Sequence, residues 1–242
     1  MNQWSGVNAL CYYLAYILEI YLGFSQSIAL ILASVAFTQY AVFSWPPYFY
    51  IDRIGRRRTV IWSSVGCAAC MAIIAGCLLN SSYTTSAVAV AFMFLFLDCF
   101  TMGILPVSWS YSAEVQPLRV RNKATAVGVF SHWMSNFVVV MVTPIGLNSI
   151  GGNYFWIWAI ICASFVPLTY FFGVETSGRS LEQIDQMFFE HPRWLMGVEA
   201  DCTKVVKQTA EDEEMRHKAY AKYDGFDQKE KHVEVVHHEE AK

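Results

Sequence analysis

Up to residue 173 the chain carries only seven of its 17 Lys and Arg residues, and all seven fall in two short clusters between long apolar runs. Arg53, Arg56, Arg57 and Arg58 make the first cluster; Arg119, Arg121 and Lys123 make the second. The other connections, residues 23–26, 80–86 and 148–153, hold no charge. A helix needs about 20 apolar residues to cross the hydrocarbon core of a bilayer. Six runs reach or approach that length: 3–23, 27–50, 59–79, 87–113, 123–147 and 154–173. Basic residues stay on the cytoplasmic side. With both clusters inside, the second run ends at the cytoplasm, the third leaves it, the fourth returns, the fifth leaves and the sixth ends inside. The expectation is an all-α membrane protein, a six-helix bundle with both termini cytoplasmic.

Charge is segregated along the chain, so the formal net charge of −3 misleads. Residues 174–242 hold ten of the basic and 16 of the 20 acidic residues, while the acids before them are Glu19, Asp52, Asp98 and Glu114. The expected organisation is a membrane domain over 1–173, a cytoplasmic segment with a short helix over 174–198, and a charged, disordered cytoplasmic tail over 199–242. A nucleic-acid partner is not expected. Of seven cysteines, Cys11, Cys67, Cys70, Cys77, Cys99 and Cys162 sit inside apolar runs, where they act as small packing residues. Cys67-x-x-Cys70 has metal-site spacing but no second pair, so no metal or cofactor is expected. Neither a nucleophile with its base nor a phosphate loop is visible, and an enzyme is not expected. The start lacks a basic n-region, so the first run itself is expected to direct insertion. Asn80-Ser81-Ser82 is a glycosylation sequon in a short outer loop.

The runs are not plain anchors. Gly103 and Pro106 interrupt the fourth, Pro46-Pro47 lies late in the second, and Pro144 with Gly146 is expected to end the fifth. Proline removes a backbone donor, and in lipid such breaks persist only where protein or a wet cavity satisfies the freed carbonyl. Broken helices near the midplane mark transporters. Polar residues recur beside the breaks: Gln3 and Asn8 on the first run, Trp109 on the fourth, and His132, Trp133 and Asn136 on the fifth. Amides and indole N–H groups bond hydroxyls without a formal charge, and aromatic faces pack on the C–H surface of a sugar ring. Read singly, each is equally helix–helix glue worth about 1–2 kcal/mol. Asp98 lies mid-run, where an acid is either a protonation site or a hydrogen-bonded structural group. Glu19 stands near the outer end of its run.

Four stretches resemble a known family. Asn2-Gln3-Trp4-Ser5-Gly6-Val7-Asn8, followed by Tyr12-Tyr13, resembles the QQxSGxNxxxYY signature in the seventh helix of major facilitator sugar porters. Asp52-Arg53-Ile54-Gly55-Arg56-Arg57 is similar to their DRxGRR loop. Pro106, Trp109, Tyr111, Ala113, Glu114, Pro117, Arg119 and Arg121 follow the PxxWxYxAExxPxxxR stretch of helix ten. The segment from Val174-Glu175-Thr176-Ser177-Gly178-Arg179 to Asp185 is similar to the PETxGRSLEEID element after helix twelve. The phrase TPIGLNSIG before a Trp-rich last run is most similar to fungal sugar transporters.

This resemblance covers about residues 2–190 and implies helices seven to twelve of a twelve-helix porter in the plasma membrane, the C-terminal half only. It assigns sugar contact to Gln3, Asn8 and Trp109, with Trp133 and Asn136 at matching positions on helix eleven and with Asn2 and His132 as departures from the usual Gln and Asn. Asp52, Arg53, Arg56, Arg57, Glu114, Arg119, Arg121, Glu175 and Arg179 resemble the cytoplasmic latch of the outward-open state. Thr101 stands where many animal members carry an acid, and Ser108 replaces a common Pro. The resemblance further implies that a lone half needs a partner, either a separate N-terminal half or a full-length transporter. A non-transporting sugar receptor signalling through the tail and a regulatory fragment are the other readings.

Overall fold

Proline and glycine divide the six apolar runs into eight α-helices. The computed structural model describes residues 1–79, 83–116, 120–179 and 183–184. The first run is a 3₁₀ turn, Gln3–Ser5, followed by α1, Val7–Ile20. The second comprises α2, Gln26–Phe43, and α3, Pro47–Ile54. The third is α4, Arg56–Leu79. The fourth comprises α5, Tyr83–Met102, and α6, Ile104–Glu114, parted at Gly103. The fifth is α7, Arg121–Ile150, and the sixth is α8, Tyr154–Phe172. There is no strand among the described residues, all of which lie in one unit, Met1–Val205. Arg119, the sequon and the tail lie outside the described residues; beyond residue 179 of the segment expected to carry a short helix, only residues 183–184 fall within them, and they are helical.

Helix α4 forms the centre, packed against α8 and α5. Its buried side is small and weakly polar: Ser63, Ser64, Cys67, Cys70 and Ala75, with Met71 and Ile74. Small residues let helix backbones approach closely where lipid supplies no hydrophobic drive between helices. At Gly103 a Cβ would lie 2.3 Å from that of Ser63, so only glycine fits there. Ser63 then repairs the break: its Oγ donates to Cys99 O at 2.6 Å and accepts the Ile104 N–H at 3.3 Å. Helix α1 covers the next side, burying Leu10, Leu14, Ile17 and Leu18. Helix α7 buries only Val139, Thr143 and Leu147 along 30 residues. Most of it faces outward, as suits a helix meeting lipid or another bundle.

The expected stop at Pro144 and Gly146 is overturned, since α7 runs through both to Ile150. Pro144 removes the donor to the Val140 carbonyl, and Tyr13 of α1 replaces it, its hydroxyl donating to Val140 O at 3.2 Å. Gly146 leaves room for the Tyr154 ring, whose carbons would lie 2.4 Å from a Cβ there. The fourth run repeats the device. Pro106 deprives the Met102 carbonyl, which accepts instead from the Tyr50 hydroxyl of α3. Both freed carbonyls thus find a tyrosine on a neighbouring helix, satisfying the requirement that lipid imposes on broken backbone. Tyr50→Phe should lower stability by about 1–2 kcal/mol by orphaning that carbonyl. Thermal unfolding of the purified chain measures it, and an unchanged midpoint would mean the carbonyl finds another donor.

Candidate functional site

Helices α1 and α7 run parallel and are stitched along their length. Gln3 meets His132, Asn8 meets Asn136, Tyr13 meets Val140, Tyr16 meets Asn148 and Tyr21 meets Leu147. From Gln3 to Tyr16 both partners advance together, so the first and fifth spans cross in the same direction, as the loop charges require.

At the start of this seam the expected sugar residues converge. Gly6, at φ +82, ends the 3₁₀ turn and starts α1, bringing Gln3 back over Asn8. The Asn8 amide nitrogen donates to Gln3 Oε1 and, at 2.6 Å, to Asn136 Oδ1. The Gln3 amide nitrogen lies 2.6 Å from His132 Nε2. An amide nitrogen can only donate, so that ring nitrogen accepts and the imidazole proton sits on Nδ1. On α7, His132 and Asn136 are one turn apart and share a face. Trp109 of α6 closes the end of the chain, its ring centroid 4.8 Å from that of His132 with planes at 51°. Trp109 keeps 46% of its surface exposed, leaving ring face for a ligand. These bonds leave over the Asn8 carbonyl and the Asn136 NH₂ for hydroxyls of either polarity.

Not every expected residue joins in. Trp133 meets the edge of the His132 ring at 5.6 Å but stays 56% exposed on the adjoining face of α7. Asn2 is buried, and its backbone carbonyl accepts the Ser5 hydroxyl at 2.6 Å. Tyr13, Tyr16 and Tyr21 hold the seam below the cluster, and only the Tyr12-Tyr13 pair was flagged by the sequence.

The second constellation lies where α3, α4, α6 and the end of α8 meet. After α8 the segment Val174–Ser177 turns inward and is buried throughout. Glu175 places its carboxylate on the first turn of α4, accepting the Arg56 N–H at 2.8 Å and the Arg57 N–H at 3.2 Å, and also the Ser177 N–H at 3.1 Å. An anion there satisfies orphan donors and opposes the positive end of the helix dipole. Gly55, at φ +94, makes the one-residue turn from α3 that presents this helix start. The Arg56 guanidinium bridges Asp52 at 2.6 Å and Glu114 at 3.2 Å. The Asp52 side chain is 73% exposed, so its pair contributes about 0–1 kcal/mol; the better-buried Glu114 pair matters more. Thr176 donates to the other Glu114 oxygen at 2.5 Å, Ser177 donates to Asp52 O, and Val174 N–H donates to the Tyr111 hydroxyl. Arg57 reaches Tyr170 O at 2.7 Å and lies over that ring.

Of the expected latch, Asp52, Arg56, Arg57, Glu114 and Glu175 come together. Arg53 stands exposed on α3, Arg121 bonds the nearby Gln116 carbonyl at 3.3 Å, and Arg179 closes a turn through its N–H to Thr176 O. Thr176, Ser177 and Tyr111 were visible only as motif letters. Among the described residues no cluster of His, Cys, Asp and Glu could hold a metal.

Comparison with known proteins gives a consistent pattern. The profile of the family described as "Sugar (and other) transporter" matches residues 1–188. The "MFS-type transporter oryC" of Aspergillus oryzae is 35% identical over 207 residues, covering 84% of this chain and 38% of its own length. The "Sugar transporter STL1" of Saccharomyces cerevisiae is 30% identical over 187 residues, covering 77% of this chain and 33% of its own length. A solved structure of the proton:xylose symporter XylE bound to 6-bromo-6-deoxy-D-glucose matches with a TM-score of 0.68 and 25% identity, over 77% of this chain and 40% of that one. The chain therefore spans well under half the length of the relatives it matches.

Proposed function

This chain belongs to the sugar transporter family of the major facilitator superfamily, and we propose that it supplies the C-terminal six-helix half of a sugar carrier working by alternating access. One observation carries the reading: Gln3, Asn8, His132 and Asn136, from two parallel helices, form one hydrogen-bonded row ending on the exposed face of Trp109. Amides and a neutral imidazole with an aromatic platform suit a pyranose, whose hydroxyls both donate and accept and whose C–H face is apolar. The ligand chemistry implied is that of a hexose, a pentose or a small oligosaccharide. Carriers of this class rock one bundle against another about a midplane site, so this half needs a complementary bundle facing the outward side of α7 and α1.

The Arg56–Glu114–Glu175 constellation is the latch of this half: opposite charges gathered at a helix start, able to re-pair when the ends of the spans move. Its end of the bundle faces the cytoplasm of the plasma membrane, since the basic clusters lie there. An impermeant thiol reagent that labelled Arg58→Cys from outside intact cells would reverse that orientation. The functional test is reconstitution. In lipid vesicles the chain alone is expected to bind D-glucose or D-xylose weakly and to carry no saturable flux. Saturable uptake by the chain alone would overturn the half-carrier reading, and loss of binding as well as flux would overturn the site.

A further inference from the structure

Asp98 belongs to neither constellation. It lies on α5, midway along the membrane span Thr84–Glu114, and is 8% exposed. Its Oδ2 accepts from the Gln39 amide nitrogen of α2 at 2.5 Å, and its Oδ1 meets no hydrogen-bond donor among the described residues. The pair has a mechanical position. The buried residues of α2 are Ala29, Ala33 and Ala36, a small-residue face laid on the bundle, and Gln39 follows them by one turn. Gln39–Asp98 thus ties α2 to α5 by a polar contact one turn beyond that face.

A carboxylate ionised at this depth would need a cation or several N–H donors, because burial of its charge in a bilayer is costly. Among the described residues, Gln39 of α2 reaches it by a hydrogen bond, and the Cys99 thiol of its own helix and the Cys70 thiol of α4 lie near it. Beyond Gln39, Tyr40 lies near Cys11 of α1, and the Thr101 hydroxyl is spent on the Leu97 and Asp98 carbonyls. None of these is a cation. A bound metal ion fits no better: hard cations require several oxygen ligands, and the remaining neighbours here are sulfur. A proton does fit. Gln39 carries, on the amide already donating to Asp98, the acceptor that a carboxyl O–H requires.

We propose that Asp98 is a proton-binding site: its carboxyl is protonated while α2 lies against α5, and it releases that proton to water only when the seam between the two helices opens. Protonation and closure are then linked, each favouring the other, and rising pH favours the open seam. This inference stands apart from the sugar reading, since it concerns a different pair of helices and needs no sugar to test.

Infrared spectroscopy of the full chain in lipid bilayers at neutral pH decides it. The wild-type chain should show the C=O stretch of a protonated carboxyl, and Asp98→Asn should lose it. Gln39→Leu, which keeps the acid but removes its partner, should shift that stretch to higher frequency. Identical spectra for wild type and Asp98→Asn would overturn the proposal. Should Asp98→Asn fail to insert, the Gln39→Leu comparison decides alone, and a stretch that it leaves unmoved would equally overturn it.

Discussion

Glu175→Ala should destabilise the purified chain by about 3 kcal/mol, because truncation strips three buried or half-buried donors of one buried acceptor group. The carboxylate is 1% exposed and holds the N–H groups of Arg56, Arg57 and Ser177. Two of these open α4, the helix on which α5, α6 and α8 all pack. Loss of the acceptor exposes unsatisfied backbone and leaves the Val174–Ser177 segment without its anchor. Glu175→Gln keeps one acceptor oxygen of the same shape and should recover part of the loss. Asp52→Ala removes an exposed partner of Arg56 and should cost less than about 1 kcal/mol. Thermal unfolding in one detergent ranks the three. Equal losses for Glu175→Ala and Asp52→Ala would show that general charge balance, rather than the cap on α4, holds this end together.

The six spans were legible because bilayer thickness imposes a length on apolar runs, and the two Arg-rich clusters fixed which ends must meet. That alternation puts Asp52, Arg56, Glu114 and Glu175 at one end of the bundle, whereas their gathering into one latch was implied by the family resemblance. What hydropathy could not reveal is where each break is repaired. Pro144 reads as a helix end because its own segment lacks the replacement donor; that donor is Tyr13, 127 residues before the Val140 carbonyl it serves. Tyr50 and Met102 pose the same problem across 52 residues. Asp98 stood out as an acid in an apolar run, whereas Gln39, an amide among alanines and aromatics, carried no such mark. The first run was read as one helix over 3–23, but Gly6 splits it. That split places Gln3 over Asn8, which their place on one apolar run did not reveal. Of the site, the residue types were readable and the pairing was not. Trp133 is the instructive case: one position from His132, it lies on the adjoining face of α7.

Asn8→Ala should weaken sugar binding by roughly 30- to 100-fold, equivalent to about 2–3 kcal/mol, while changing the stability of the unliganded chain much less. Asn8 is the centre of the row: its nitrogen serves both Gln3 and Asn136, and its carbonyl is left over for a ligand hydroxyl. Alanine removes the ligand's acceptor and also releases Gln3 and Asn136, which must then be ordered again on binding. His132→Asn is the companion change. It keeps a polar group near Gln3 but removes the ring that lies against Trp109, so binding should fall less and through stacking. Titration with D-glucose and D-xylose, followed by tryptophan fluorescence and set beside melting curves without sugar, separates two roles for these amides. If Asn8 only glues α1 to α7, the melting point falls and the dissociation constant of the folded fraction stays put. If it forms part of a sugar site, the constant moves and the melting point holds. The second result is expected, because Tyr13, Tyr16 and Tyr21 stitch the same two helices further along and share the structural load.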